Sequence, residues 1–182
     1  VDTVVRMAAA FASTLQFSTG DIIGALVLIQ LVAFVATLVY IRISNYIGLK
    51  NGIYLGIIGY IIIIICGFFV ENVSQFYIVA FLIGCFQGGI QSISRSLYSR
   101  IIPENKAAEF YGFYNMLGKF AAVFGPVLMG SVTLILSNNF DNEITAARYG
   151  LLSIMILFIL GAYVFSKVDI AEGEAIAKNL WF

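Results

Sequence analysis

Two stretches decide how this chain folds: Phe86-Gln-Gly-Gly-Ile-Gln-Ser-Ile-Ser-Arg95 and Tyr111-Gly-Phe-Tyr-Asn-Met-Leu-Gly-Lys119. Both sit in runs apolar enough for a membrane interior, yet both carry side chains that a lipid-facing helix excludes. Glutamine, asparagine and lysine are costly inside a hydrophobic span unless they face a bundle interior or a water-filled cavity. The two stretches therefore point to a pathway through a membrane and not merely an anchor in one.

The composition around them agrees. Of 182 residues, 61% are hydrophobic and only 11% charged, far more apolar than a soluble domain of this length requires. The formal net charge is zero, so no nucleic-acid partner is expected. Histidine is absent, and Cys66 and Cys85 both lie in apolar runs without metal-ligand spacing. They read as packed thiols, and neither a metal nor a cofactor is expected. The chain opens on Val1, and no signal peptide precedes the first apolar run, which reads as a piece of a longer protein.

Five stretches are long enough to cross a hydrocarbon core of roughly 30 Å, which takes about 20 helical residues. They run approximately Ile22–Ile41, Ile53–Val70, Phe76–Tyr98, Phe110–Leu136 and Tyr149–Phe165. A sixth, Val4–Phe17, is too short alone and reads as the end of a helix that starts earlier. The alternation of a membrane β-barrel strand is missing. The expected fold class is an all-α polytopic membrane bundle over residues 1–168, followed by a tail over residues 169–182. Asp169, Glu172, Glu174 and Lys178 mix with small residues there, which suits a short surface helix or a disordered, solubilising segment.

Charge alternates between the connections. Arg42 and Lys50 flank one, Arg100 and Lys106 another, and Lys167 follows the last span. The opposite connections carry Asp21, Glu71, Asp141 and Glu143, with Arg148 as the nearby base. The positive-inside rule makes the basic connections and the C-terminus cytoplasmic.

Residues four apart on a helix lie nearly in line. Gln87, Gln91 and Arg95 follow that spacing, with Ser94 and Tyr98 in the same arc, so one polar stripe marks an apolar span. Gln87 is expected near mid-membrane, with Arg95 ~12 Å nearer the cytoplasm. Either glutamine can line a cavity or act as interhelical hydrogen-bond glue. Gly88 and Gly89 beside the stripe suit a flexible point or a close-packing notch. Lys119 is expected ~13 Å inward from Phe110, too deep for its ammonium to snorkel fully to the interface. It can bind an anionic group, pair with an acid elsewhere in the protein, or form a structural pair near the inner interface. Asn115 precedes it by one turn and presents to the same space. Gly118, Ala122 and Gly125 give a small-residue packing face, and Pro126 is expected to kink the helix. Asp2 and Arg6 are four apart and suit an ion pair, within the helix or at its mouth.

With those residues in place, the chain resembles a known family. Tyr40-Ile-Arg-Ile-Ser-Asn-Tyr-Ile-Gly-Leu-Lys50 resembles a worn copy of the cytoplasmic loop motif of the major facilitator superfamily. Gly48 and Lys50 match it, while Ile41, Asn45 and Tyr46 replace its leading glycine, its acid and its first arginine. A denser likeness is to the vacuolar-effluxer branch, which includes the autophagy-related amino-acid permease of fungal vacuoles and bacterial relatives. It is carried by Gln87–Ser96, by Ile102-Pro-Glu-Asn105 and Glu109-Phe-Tyr-Gly-Phe-Tyr114, and by Gly118-Lys-Phe-Ala-Ala122, Gly125-Pro126 and the opening Val1–Ala9.

The resemblance implies a partial seventh helix through a twelfth, the C-terminal half of a twelve-helix transporter. Its partner would be the missing N-terminal half of the same chain, with substrate held near the bilayer midplane between halves that rock alternately. The stripe would lie on helix ten and Lys119 on helix eleven.

The expected function is secondary active transport of a small polar solute, amino acids by analogy, across a bacterial cell membrane or, in a fungus, the vacuolar membrane. Gln87, Gln91, Asn115 and Lys119 are the candidate cavity residues. Arg95, Gly88, Gly89, Gly118, Gly125 and Pro126 are the candidates for gating or helix packing. The alternative is a non-transporting scaffold or receptor that reuses the fold. An enzyme is not expected: there is no histidine, Cys–His pair or carboxylate cluster. The absence of a Gly-rich phosphate loop disfavours an ATP-driven pump.

Overall fold

A computed structural model describes residues 2–137 and 143–179, with the side chains of Asp2, Glu104, Lys178 and Asn179 outside that description. Among the described residues all the regular structure is helical. The helices are α1 (Asp2–Thr14), α2 (Thr19–Ile47), α3 (Leu49–Phe68), α4 (Val73–Ile101), α5 (Ala107–Ser137), α6 (Glu143–Ser166) and α7 (Ile170–Asn179). A single 3-10 turn, Glu104–Lys106, leads into α5. Helices α2 to α6 are long and apolar enough to cross a membrane, and they coincide with the five spans expected. The chain is thus an integral, multi-pass membrane protein.

Helices α2 and α4 start before the hydropathy-based spans because polar caps set their first turns. Ser18 Oγ accepts the Asp21 N–H at 3.1 Å to start α2. Asn72 and Gln75 form a capping box at the start of α4, Gln75 Oε1 accepting the Asn72 N–H at 3.3 Å. Between α2 and α3 stands one residue, Gly48, with φ +90° and ψ 149°. Such a backbone is open essentially to glycine alone.

Helix α4 is the centre of the bundle, packed on α2 and α3; α3 continues onto α6, and α6 onto α5, with α1 wedged against α2, α5 and α6. The α2–α4 seam is tight because Gly84 and Gly88 sit one turn apart. A Cβ on them would stand 2.9 Å from the Ile29 carbonyl oxygen and 3.0 Å from that of Ala33. Small residues at this spacing let backbones approach closely and add Cα–H···O contacts. Gly89 makes room for the ring of Tyr40. Tyr40, itself buried, donates from Oη to the Gly52 carbonyl at 2.8 Å and ties α2 to the start of α3.

Three features extend or correct the sequence reading. The segment after α6 is a helix docked on the bundle, not only a solubilising tail. Asp169 Oδ1 caps α7 by accepting from Ala171 N and Glu172 N. Ala177 is buried, Gly173 faces Ile101, and Glu174 pairs with Arg100 at 3.9 Å. Residues 180–182 lie outside the described part. Second, α5 runs as one helix through Pro126. Third, the small-residue face on α5 is packed only in part: Gly125 is seated against Thr3 of α1, whereas nothing lies within 4 Å of a Cβ on Gly118. Packing at Gly118 would need a neighbour on a side where the described residues supply none.

Candidate functional site

Each face of α4 has its own task. Gly84 and Gly88 address α2, and Phe86, Ile90 and Ile93 fill the glycine positions of α3. The remaining arc, by helical geometry, carries Gln87, Gln91, Ser94 and Tyr98. Toward the α3–α4 loop this arc is covered: Phe76, Val79 and Ile83 meet Val4, Ala8 and Phe11 of α1 in an apolar core. Below α1 the covering ends, and there the polar stripe begins. Gln87 lies at the middle of α4 and is half-buried, its Oε1 enclosed and without a hydrogen-bond partner among the described residues. Gln91 is half-buried one turn on, and Arg95 is exposed.

Helix α5 presents the second group. It packs on α6 and α1 but not along α4. From Gly112 to Phe124 most of its residues are exposed, Asn115, Gly118 and Lys119 among them. Phe113, Leu117, Phe120 and Phe124 are also exposed, so apolar and polar positions alike lack neighbours.

Helix α1 fixes the depth of this group. Thr3 Oγ1 donates to the Ala121 carbonyl at 3.5 Å, and Thr3 faces Gly125. The start of α1 is thus level with the middle of α5, two residues beyond Lys119. Arg6, one turn further along α1, is exposed. Asp2, expected to pair with it, has its side chain outside the described residues. The two cations Arg6 and Lys119 therefore lie within the depth of the bundle, neither with a described ion pair.

Among the described residues the structure brings the basic connections together on one face and Asp21, Glu71 and Glu143 on the other, hereafter the basic and acidic faces. Two cations join α3 to α6 across them. On the basic face, Lys50 Nζ donates to the Val168 carbonyl at 2.8 Å and to that of Ser166 at 3.5 Å. On the acidic face, Arg148 Nη2 donates to the Val70 carbonyl at 3.1 Å and pairs with Glu71 at 3.5 Å. Each antiparallel partner thus begins with a cation that satisfies carbonyls just past the other's end, where the helix dipole is negative. This accounts for the one base on the acidic side.

The contacts between the basic ends of α4 and α5 were not anticipated. Tyr98 stacks at a tilt on Tyr114 with ring centroids 4.8 Å apart and meets Tyr111 edge-on at 5.5 Å. The only sequence signal is the tyrosine spacing itself, at Tyr98 and at Tyr111 and Tyr114.

Comparison with known proteins gives a consistent answer. Residues 1–178 match the family described as "Vacuole effluxer Atg22 like". An uncharacterized MFS-type transporter of Bacillus subtilis, YxiO, is 32% identical over 168 residues, which are 92% of this chain and 37% of that protein. Autophagy-related protein 22 of Vanderwaltozyma polyspora is 29% identical over 121 residues, 64% of this chain and 22% of its own length. The Saccharomyces cerevisiae protein of that name is 26% identical over 121 residues, covering 64% and 21%. The chain thus spans well under half the length of these relatives. No solved structure matches it. A helical bundle with a polar stripe at mid-depth, matched to one family along nearly its whole length, has one placement: the chain belongs to the vacuole effluxer Atg22-like family of major facilitator transporters.

Proposed function

We propose that this chain is the C-terminal half of a secondary active transporter that moves a small polar solute, amino acids among them, by alternating access. The observation that carries the reading is the pair of mid-depth cations, Lys119 and Arg6, exposed on surfaces that no described residue covers. A lysine or arginine facing hydrocarbon at the centre of a span costs about 2.5–3.5 kcal/mol. Faces that carry such groups are turned toward water, solute or a second polar surface. The enclosed Gln87 Oε1, without a partner among the described residues, adds an acceptor to the same side of the bundle.

In this reading α1, α4 and α5 form one wall of a central cavity, and an N-terminal half of the same protein forms the other. Gln87, Gln91 and Asn115 supply neutral donors and acceptors, and Lys119 holds an anionic group such as a carboxylate. Arg95, exposed at the basic end, stands at the inner mouth. Gly118 is the position against which a second half slides, and Gly125 and Pro126 set the seat of α5 on α1. The basic face is cytoplasmic by the positive-inside rule. The likeness to the Bacillus protein favours a bacterial cell membrane, and the fungal likeness a vacuolar one.

The test is flux of labelled amino acids into proteoliposomes that hold the complete protein or its Lys119→Gln variant. Saturable flux, lost in a variant that stays folded, supports the reading. No flux from a well-folded protein across a broad amino-acid mixture, under imposed proton and sodium gradients, removes the amino-acid assignment and favours a scaffold or receptor role.

A further inference from the structure

Helices α4 and α6 flank α3 and share no seam of their own among the described residues. Near the acidic face α1 bridges them, where Phe11, Ile83 and Leu151 line one small apolar pocket. Near the basic face the bridging falls to α7. Its first residue, Ile170, packs on the cluster of Tyr40, Ile53, Ile93 and Leu97 from α2, α3 and α4. Gly173 then seats on Ile101 of α4, Glu174 pairs with Arg100, and Ala177 is buried. Residues 166–177 thus run from the end of α6, across the start of α3, to the end of α4. We propose that α7 is a strap that holds these three helix ends together, and that it lifts from α4 and reseats as the basic face opens and closes. The part it plays in opening rests on the transport reading given above.

Each portion of the segment suits lifting. The pivot is fixed, because Lys50 Nζ holds the carbonyls of Ser166 and Val168 on either side of Lys167. The helix carries its own cap: Asp169 Oδ1 accepts from the Ala171 and Glu172 N–H groups, so α7 keeps its first turn when it leaves α4. The seated face is smooth. Gly173 and Ala177 stand one turn apart and leave no long side chain to unthread. Among the described residues no backbone hydrogen bond joins α7 to α4, and the ion pair spans 3.9 Å with Arg100 56% exposed, a weak attachment. The other seams of the bundle are built differently. The α2–α4 seam has backbone against glycine, and the α3–α6 seam has a cation at each end.

Two sets of cysteine variants read the strap in the complete protein, with Cys66 and Cys85 replaced by serine and any other cysteine removed. The first is Ala177→Cys, at a position 4% exposed while α7 is seated. Its reaction with a membrane-impermeant maleimide supplied from the basic face is timed in oriented vesicles. A measurable rate is expected. Gly173→Leu, which must displace Ile101, is expected to raise that rate by roughly fivefold or more, the equivalent of ordinary overpacking. A control reporter, Val79→Cys, buried toward the other end of α4, is expected to stay unreactive throughout. The second set is the pair Ile101→Cys/Gly173→Cys. A Cβ on Gly173 would stand 3.4 Å from that of Ile101, close to the roughly 3.5–4.5 Å that a disulfide spans. Oxidation of the pair is expected to abolish flux in the proteoliposome assay, and reductant to restore it.

An Ala177→Cys protein as unreactive as Val79→Cys would mean that α7 stays seated, and overturns the strap. So does full flux from the oxidised pair. A matching rise at Val79→Cys in the Gly173→Leu protein signals general loosening and counts against it equally. Labelling at Ala177→Cys from a protein that carries no flux even when reduced would defeat the transport reading while leaving the lifting of α7.

Discussion

Lys50 Nζ donates to the Val168 carbonyl at 2.8 Å, so the first turn of α3 holds the chain where α6 has just ended. Arg148 does the same for Val70 at the opposite face. Each bond uses a charged donor at the negative end of a helix, worth about 1–2 kcal/mol. Lys50→Met should lower stability by that amount and quicken amide hydrogen exchange over residues 163–168. Arg148→Met should cost at least as much, because its side chain is only 23% exposed. Glu71→Gln should stay within about 0.5 kcal/mol, since Glu71 is 68% exposed. Equal losses from Arg148→Met and Glu71→Gln would mean that the ion pair, and not the carbonyl bond, joins the helices.

Glycines that look alike in sequence should respond in opposite directions. Gly88→Val drives a branched side chain into Thr37 and the Ala33 carbonyl, and overpacking of this kind costs about 1–3 kcal/mol. Gly130→Ala meets nothing within 4 Å and should be neutral or stabilising by up to about 1 kcal/mol. Thermal melts of the purified protein in one detergent separate the two. A stable Gly88→Val protein would show that the α2–α4 seam has slack.

At Tyr40 the loss of one hydroxyl can be isolated. Tyr40→Phe keeps the packing of a buried ring against Phe86 and removes the bond to Gly52. A cost of about 1 kcal/mol is expected in a melt or denaturant titration. No measurable change would mean that the ring alone holds the α2–α3 corner.

Helix α7 should depend on shape more than on charge. Its pair with Arg100 spans 3.9 Å and Arg100 is 56% exposed, so Glu174→Gln should cost under about 1 kcal/mol. Gly173→Leu must displace Ile101, whose Cγ2 would stand 3.1 Å from an added Cβ. Protease accessibility of residues 170–177 should rise in Gly173→Leu and hardly change in Glu174→Gln. The reverse order would make α7 an electrostatic attachment.

The spans were legible because hydrocarbon thickness imposes length and apolarity on any crossing helix. Their true ends were not, because Ser18, Asn72 and Gln75 act through hydrogen bonds that a hydropathy window does not weigh. The polar stripe could be read too: Gln87 and Gln91 are on one helix, where spacing fixes direction. The depth of α1 could not, since it depends on Thr3 meeting Ala121 on another helix. Lys50 and Arg148 were visible only as charges that orient loops. Their partners are backbone carbonyls 118 and 78 residues away, which no side-chain pattern encodes. The tyrosine cluster and the docking of α7 were hidden for the same reason: each exists only where two helix ends converge. Gly88 and Gly118 show the limit within a single residue type, one filled by α2 and the other open.

Gly48 asks for something that the rest of the chain does not. With no atom within 4 Å of where a methyl group would stand, the joint between α2 and α3 has ample volume, and its φ of +90° is what a side chain offends. The position therefore selects on handedness: it refuses the L-configured stereocentre itself, however small the group it carries. Glycine alone among encoded residues is achiral, so any replacement must turn the backbone. Turning it there swings α3 about its own beginning, and with it the ammonium of Lys50 away from Val168. A choice of mirror symmetry at one atom thereby sets whether the start of α3 meets the end of α6.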